Sequence, residues 1–276
     1  MSLNPLGLMR GKCMKEDDRH LRLAIAAARE AGRIQMLHFG HSHPVQYKGE
    51  FNPVTEVDRL CERAIVEMIS DVFPDHDILT EESPFEGKGS SWKWIVDPLD
   101  GTTNYFHGFP CFCVSIGLEV NGEVEMGVVY VPPLNELFHA EKGKGTFLNG
   151  ERTVVSQADR LNKSLLCTGF PYDVQKCADF YLRYFHRFIT KSFAIRRPGS
   201  AAVDLSYLAA GRFDGFWEFK LHAWDVAAAS LLITEAGGKV TDLQGRPFNI
   251  YSDEILASNG LIHEEMLQTI REIDAG

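Results

Sequence analysis

The decisive stretch reads Trp92-Lys93-Trp94-Ile95-Val96-Asp97-Pro98-Leu99-Asp100-Gly101-Thr102-Thr103-Asn104. Trp94 and Val96 alternate with Ile95, which predicts a buried strand. Pro98 has no N–H for a ladder and is expected to end that strand, leaving Asp97 and Asp100 on the bend beyond it. Gly101 permits a tight turn, and Thr102-Thr103-Asn104 can cap a short helix. Two carboxylates, the Leu99 carbonyl and a helix start would then share one small volume. Carboxylate and carbonyl oxygens are ligands for a hard divalent cation, and N–H groups at a helix start suit a phosphate. Asp-Pro-x-Asp-Gly alone is also ordinary turn chemistry. Residues elsewhere in the chain decide between the two readings.

The chain has 276 residues, enough for one large domain or two small ones. Hydrophobic residues make up 45% and charged residues 24%, the balance of a soluble globular enzyme. A net charge of −10 argues against a nucleic-acid or anionic-membrane surface, which would need a basic stripe. Divalent cations held by clustered carboxylates would let so acidic a protein bind an anionic substrate. No apolar run reaches about 18 residues, so no membrane span is expected. Met14-Lys15-Glu16 reads as a natural start, and residues 1–15 as a tag or disordered extension. The six cysteines show no paired metal spacing. They read as free thiols in a reducing cytosol, with Cys111 and Cys113 on one face of a strand.

Outward from the centre, Asp17 or Asp18 can cap a helix whose apolar face runs through Leu21, Ala24, Ala28, Ala31 and Ile34. Residues 40–53 form a loop in which His41 and His43 read as polar loop residues. Thr55-Glu-Val-Asp58 resembles a capping box for a second helix reaching Ile69. Ile78 to Thr80 reads as a strand ending in the adjacent acids Glu81 and Glu82, followed by a mobile loop over 86–91. Asn121-Gly122 and Asn149-Gly150 predict two hairpins. From Leu165 the pattern changes, with a strand to Phe170 and a helix whose Phe180, Tyr184 and Phe188 read as core. Gly199-Ser200-Ala201-Ala202 opens a helix, Asp214 to Phe219 is a strand, and Trp224-Asp225 opens an Ala-rich helix. Helix pairs alternating with antiparallel runs suit an α+β stack of layers. The break near Arg160 is a candidate subdomain boundary within one domain, 16–276.

Three pieces now stand together: Glu81-Glu82-Ser83, Asp97-Pro-Leu-Asp100-Gly-Thr102 extended to Pro110, and Trp224-Asp225 extended to Glu235-Ala-Gly-Gly238. With these the chain resembles the inositol monophosphatase family of magnesium-dependent, lithium-sensitive phosphomonoesterases. The resemblance implies an αβαβα sandwich of the kind shared with fructose-1,6-bisphosphatase, a cytoplasmic homodimer, and two or three Mg²⁺ per subunit. It implies that Glu81, Asp97 and the Leu99 carbonyl hold one ion, and Asp97, Asp100 and Asp225 a second. A third ion would use Glu81 and waters. Gly101 and Thr102 would bind phosphate, and Thr102 with Glu81 would orient and deprotonate the attacking water. Gly199, Ser200, Ala201 and Glu218 match positions that contact the substrate's hydroxyl-bearing ring, beside Asp100 and Asp225. His107 and His222 would be structural.

Asn52 stands where several relatives have Asp, Lys48 is near a loop lysine of relatives, and Lys220 replaces a small residue. A cation at 220 would favour a second phosphate or an acidic group on the substrate. The expected substrate is a small phosphorylated polyol, myo-inositol monophosphate first. Histidinol phosphate, fructose 1,6-bisphosphate and 3′,5′-bisphosphonucleotides are the rivals. A different class of reading is a binding partner in an RNA or polymerase assembly, with no direct nucleic-acid contact expected.

Overall fold

Leu23, Ala24, Ala27, Ala28 and Ala31 recur at three- and four-residue steps and are all buried, on one face of the first helix. They are seen in a computed structural model that describes residues 17–41, 45–47 and 53–275. The readings of residues 1–15, His43, Lys48, Asn52 and the side chains of Asp17, Asp18 and Thr55 lie outside the described residues.

The chain runs α1 (Asp17–His38), β1 (Val45–Tyr47), β2 (Pro53–Thr55), α2 (Glu56–Val72), β3 (Asp77–Thr80), β4 (Trp92–Asp100) and α3 (Thr102–Phe106). It continues through β5 (Cys113–Val120), β6 (Glu123–Val131), β7 (Glu136–Glu141), β8 (Gly145–Leu148) and β9 (Glu151–Thr153). The second half runs β10 (Leu165–Thr168), α4 (Ala178–Lys191), β11 (Ala194–Arg196), α5 (Ala201–Ala209), β12 (Gly215–Phe219) and α6 (Ala223–Glu235). It closes with β13 (Lys239–Thr241), β14 (Glu254–Ser258) and α7 (His263–Ala275).

Strands β3 to β9 lie in sequence order in a seven-stranded sheet, antiparallel except for the β3–β4 pair. The other large sheet has the order β11-β10-β12-β14-β13. Side-chain alternation along each strand sorts residues into three cores. Trp94 and Val96 pack with Ala28 and Ala31 of α1 and with Cys61 and Ile65 of α2. Ile95, on the opposite face of β4, packs with Leu205 of α5 and Ala227 of α6. Phe216 faces that same middle core, whereas its neighbour Trp217 faces Phe188 of α4 and Ile270 of α7. The layers are therefore α1 and α2, a sheet, α5 and α6, a sheet, then α4 and α7.

Both Asn-Gly hairpins form, with positive φ at Asn121, Gly122, Asn149 and Gly150, as a primed two-residue turn requires. Pro98 does not end β4. The strand continues to Asp100 across a bulge, with Asp97 opposite Ser115 and Asp100 opposite Cys113. Gln35 of α1 donates from Nε2 to the Pro98 carbonyl at 2.8 Å, which satisfies the backbone where the ladder breaks. Strand β10 stops at Thr168, short of Phe170. Phe180 is 40% exposed, so only Tyr184 and Phe188 of the expected stripe are core. The 86–91 loop is tied down, because Asp77 accepts from the N–H groups of Lys88 (2.5 Å) and Ser90 (3.2 Å).

Candidate metal centre and active site

The β4 bulge turns Asp97 and Asp100 toward one volume while keeping both buried. Asp97 Oδ1 accepts from the Leu99 N–H at 2.9 Å, which fixes the carboxylate over its own bend. Gly101 follows at φ +93°, where a Cβ would stand 2.8 Å from the Cys111 carbonyl. Thr102 opens α3, and its hydroxyl lies 2.9 Å from Asp58 Oδ1 and 3.0 Å from the Leu99 carbonyl. Asp58 therefore acts beyond its own helix start. Its carboxylate, 1% exposed, reaches across to the hydroxyl of Thr102.

Asp225 arrives from the first turn of α6. That helix lies close on the large sheet because β5 and β6 present glycines to it. A Cβ at Gly127 would meet the Ala228 carbonyl oxygen at 2.5 Å, and one at Gly117 would meet Ala227 Cβ at 3.1 Å. Asp225 Oδ2 accepts from the His222 N–H at 2.6 Å. Ligating oxygens of Asp97, Asp100 and Asp225 lie within 4.8 Å of one another. Glu81 shares the cavity of about 470 Å³ that these acids line but stands outside that closest trio. Its segment is held by Glu62 of α2, whose carboxylate accepts from the Glu82 N–H at 3.0 Å and from the Ser83 hydroxyl.

Burial pushes Asp97 well above the usual carboxylate range, and the charges of Glu81, Asp100 and Asp225 add to it. Burial and the Asp100 charge do the same to Asp225. Asp100 is raised by burial, with donors from Ser200 and Ala202 opposing. Three desolvated carboxylates facing each other need positive charge between them. An all-oxygen donor set of this kind fits a hard divalent cation such as Mg²⁺.

At the far end, Ser200 caps α5, accepting from the Val203 N–H at 3.4 Å and donating to Asp100 Oδ2 at 2.7 Å. The Ala202 N–H reaches the same oxygen at 2.8 Å. Asn104 donates to the Pro198 and Gly199 carbonyls, which ties α3 to the α5 entrance. Gly199, Ser200, Ala201 and Glu218 all line the cavity. Lys220 lines it too, but its ammonium lies 2.6 Å from Asp173 and is paired, so it is not the free cation that a second phosphate would meet. His222, expected to be structural, also lies on the cavity wall and stacks on Trp224. The reading of the sequence passed over Glu62, Gly169, Arg197 and Asp204. A lone Glu, Gly, Arg or Asp on a helix, strand end or loop carries no local motif.

Residues 16–275 match a family model described as the inositol monophosphatase family. A fructose-1,6-bisphosphatase/inositol-1-monophosphatase of Thermotoga maritima is 41% identical over 92% of this chain and 96% of the relative. The Nus factor SuhB of Escherichia coli K12 is also 41% identical, over 91% and 96%. Among solved structures, the extragenic suppressor protein suhB of Bartonella henselae superposes with a TM-score of 0.88 at 39% identity, covering 92% of this chain and 99% of that one. No helix among the described residues is long and apolar enough to cross a membrane.

Proposed function

Because the chain belongs to the inositol monophosphatase family, we propose that it is a Mg²⁺-dependent phosphomonoesterase acting on small polyol phosphates, myo-inositol monophosphate first. The observation that carries this is the meeting of Asp97, Asp100 and Asp225 within 4.8 Å, from two elements far apart in sequence. Glu81, Asp97 and the Leu99 carbonyl would hold one ion; Asp97, Asp100 and Asp225 would hold a second. When bound, the ions would acidify a water and offset charge on the phosphoryl and leaving oxygens. Thr102, donating to Asp58, keeps lone pairs free to accept a hydrogen bond from that water and orient it, and Glu81, which lines the same cavity, would take the proton. The Gly101 and Thr102 N–H groups would bind phosphate oxygens. Gly199, Ser200, Ala201 and Glu218, with Asp100 and Asp225, would contact the hydroxyl-bearing part of the ester. No protein nucleophile is needed.

The free thiols of Cys61, Cys111, Cys113, Cys167 and Cys177 support a reducing cytosol. A homodimer follows from the family resemblance and is read by sedimentation. The second reading comes from the E. coli relative, which is named a Nus factor at the same 41% identity: a role in a transcription assembly, with catalysis secondary. Phosphate release with Mg²⁺ is the test, across inositol 1-phosphate, histidinol phosphate, fructose 1,6-bisphosphate and a 3′,5′-bisphosphonucleotide. Release from the first above the others, abolished by a chelator and reduced by millimolar Li⁺, is the expected result. No release from any ester would overturn the enzymatic reading. A strain carrying Asp97→Asn that grows normally without turnover would favour the assembly.

A further inference from the structure

The three acids that meet within 4.8 Å are not held alike. Asp97 and Asp225 accept from main-chain N–H groups of their own turns, those of Leu99 and His222. Asp100 is held from another element. Its Oδ2 faces the start of α5, where it accepts from the Ser200 hydroxyl at 2.7 Å and from the Ala202 N–H at 2.8 Å. A carboxylate oxygen carries two lone pairs, so two good donors fill it. The Cys113 thiol, 3.9 Å from the same oxygen, adds only a weak donor. Ser200 has its proton to give, because at the helix start its own oxygen accepts from the Val203 N–H at 3.4 Å. Asp100 and Ser200 are both buried, so water competes little for these bonds. Oδ1 is left as the oxygen that Asp100 can offer a cation.

We propose that Ser200 is a positioning residue for the metal ligand Asp100: together with the Ala202 N–H it fills Oδ2, confines Asp100 to one-oxygen ligation, and so makes the centre favour Mg²⁺ over Ca²⁺. Mg²⁺ takes near-octahedral oxygens at about 2.0–2.1 Å, one from each carboxylate. Ca²⁺ takes longer bonds, about 2.3–2.6 Å, and commonly grips a carboxylate through both oxygens. An Asp100 whose second oxygen is already filled cannot give Ca²⁺ that grip. Without the Ser200 hydroxyl, Oδ2 keeps the Ala202 N–H alone and regains a lone pair for a large cation. Ser200 is the member of this pair of donors that a substitution can remove, since the other belongs to the main chain. The inference rests on the reading that Asp97, Asp100 and Asp225 hold a divalent cation, and deepens it by assigning what selects the ion. It is separate from any contact of Ser200 with the ester, because the selection is made before substrate arrives.

Calorimetric titration without substrate tests it, with MgCl₂ and CaCl₂ in turn, on the parent, Ser200→Ala and Ser200→Thr. The ratio of the Mg²⁺ Kd to the Ca²⁺ Kd should rise about tenfold in Ser200→Ala. It should return to the parent's value in Ser200→Thr, which keeps the hydroxyl. If Ser200 serves only as a helix cap, Ser200→Ala lowers the melting temperature of the ion-free protein and weakens both ions equally or not at all. That result overturns the proposal, as does a Thr variant as altered as the Ala one. If Ser200→Ala does not fold, Ser200→Gly replaces it, since glycine costs little at a helix start; an unchanged ratio there overturns the proposal. A parent that binds Mg²⁺ with a ratio that no variant moves refutes the role of Ser200 alone. A parent that binds neither ion refutes the metal-centre reading, and the proposal with it.

Discussion

At the scale of single residues, the clustered acids of the candidate metal centre oppose the fold in the absence of a cation. Asp97 is 1% exposed and faces three other acids. Asp97→Asn removes one of the repelling charges, so the metal-free protein should be no less stable than the parent. Saturating Mg²⁺ should raise the parent's melting temperature, by about 2.7 kcal/mol at a hundred times Kd. It should do nothing for Asp97→Asn or Asp225→Asn, both with nearly all activity gone. A variant that still melts higher with Mg²⁺ would remove that acid from the ligand set. Thr102→Ala differs, because it deletes the hydroxyl between Asp58 and the Leu99 carbonyl but no acid. Turnover should fall by about 10²–10⁴ while the Mg²⁺ dependence moves little; the reverse split would make Thr102 a structural cap. The acids of the centre were legible because they sit in dense local patterns. The bond from Asp58 to Thr102 was not legible, since a capping box with Thr55 offers a local reading of Asp58 and the hydroxyl it accepts from lies 44 residues on.

At the scale of elements, what could be read depended on whether the partner was close in sequence. The Asn-Gly hairpins are closed within four residues and formed as expected. The Pro98 bulge was not legible, because Gln35, which satisfies the Pro98 carbonyl, comes from α1, 63 residues away. Similar long-range satisfaction ties β13, β14 and α7 together at His263. Its Nε2 is 2.9 Å from the Thr241 hydroxyl and its Nδ1 2.9 Å from that of Ser258. Burial and the charge of Lys239 lower the His263 pKa from 6.5 to about 4. The unfolded chain therefore binds the extra proton first. The stabilisation is complete above pH 6.5 and is lost as the pH falls toward 4, by about 3 kcal/mol at full extent. Chemical denaturation of the parent and His263→Gln across that window should show the parent losing more stability than the variant. Parallel pH profiles would mean that His263 is neutral for some other reason, or charged in the fold.

At the scale of the whole molecule, the centre exists because a sheet, a helix layer and a second sheet meet at one cavity. The β4 bulge supplies Asp97 and Asp100, α6 supplies Asp225, and β12 supplies Glu218. Periodicity identifies each element but not the spacing between layers, so the sequence alone left the site's depth and its Asp204 wall unread. That spacing is set by small residues. Gly127 and Gly117 let α6 approach the sheet so closely that a Cβ at 127 would meet the Ala228 carbonyl oxygen at 2.5 Å. Gly127→Ala should push α6 outward at its middle, about 1–3 kcal/mol destabilising by overpacking. Asp225 lies three residues before Ala228 and would move with it. A shift of about 1 Å at a reacting centre can cost on the order of 10²-fold in rate. Mg²⁺ affinity, measured by calorimetry, should therefore weaken together with turnover, although residue 127 is not among those lining the cavity. If the variant melts earlier yet binds Mg²⁺ and turns over as before, the contact between sheet and helix supports the fold alone, and the position of Asp225 is set by its bond to the His222 N–H.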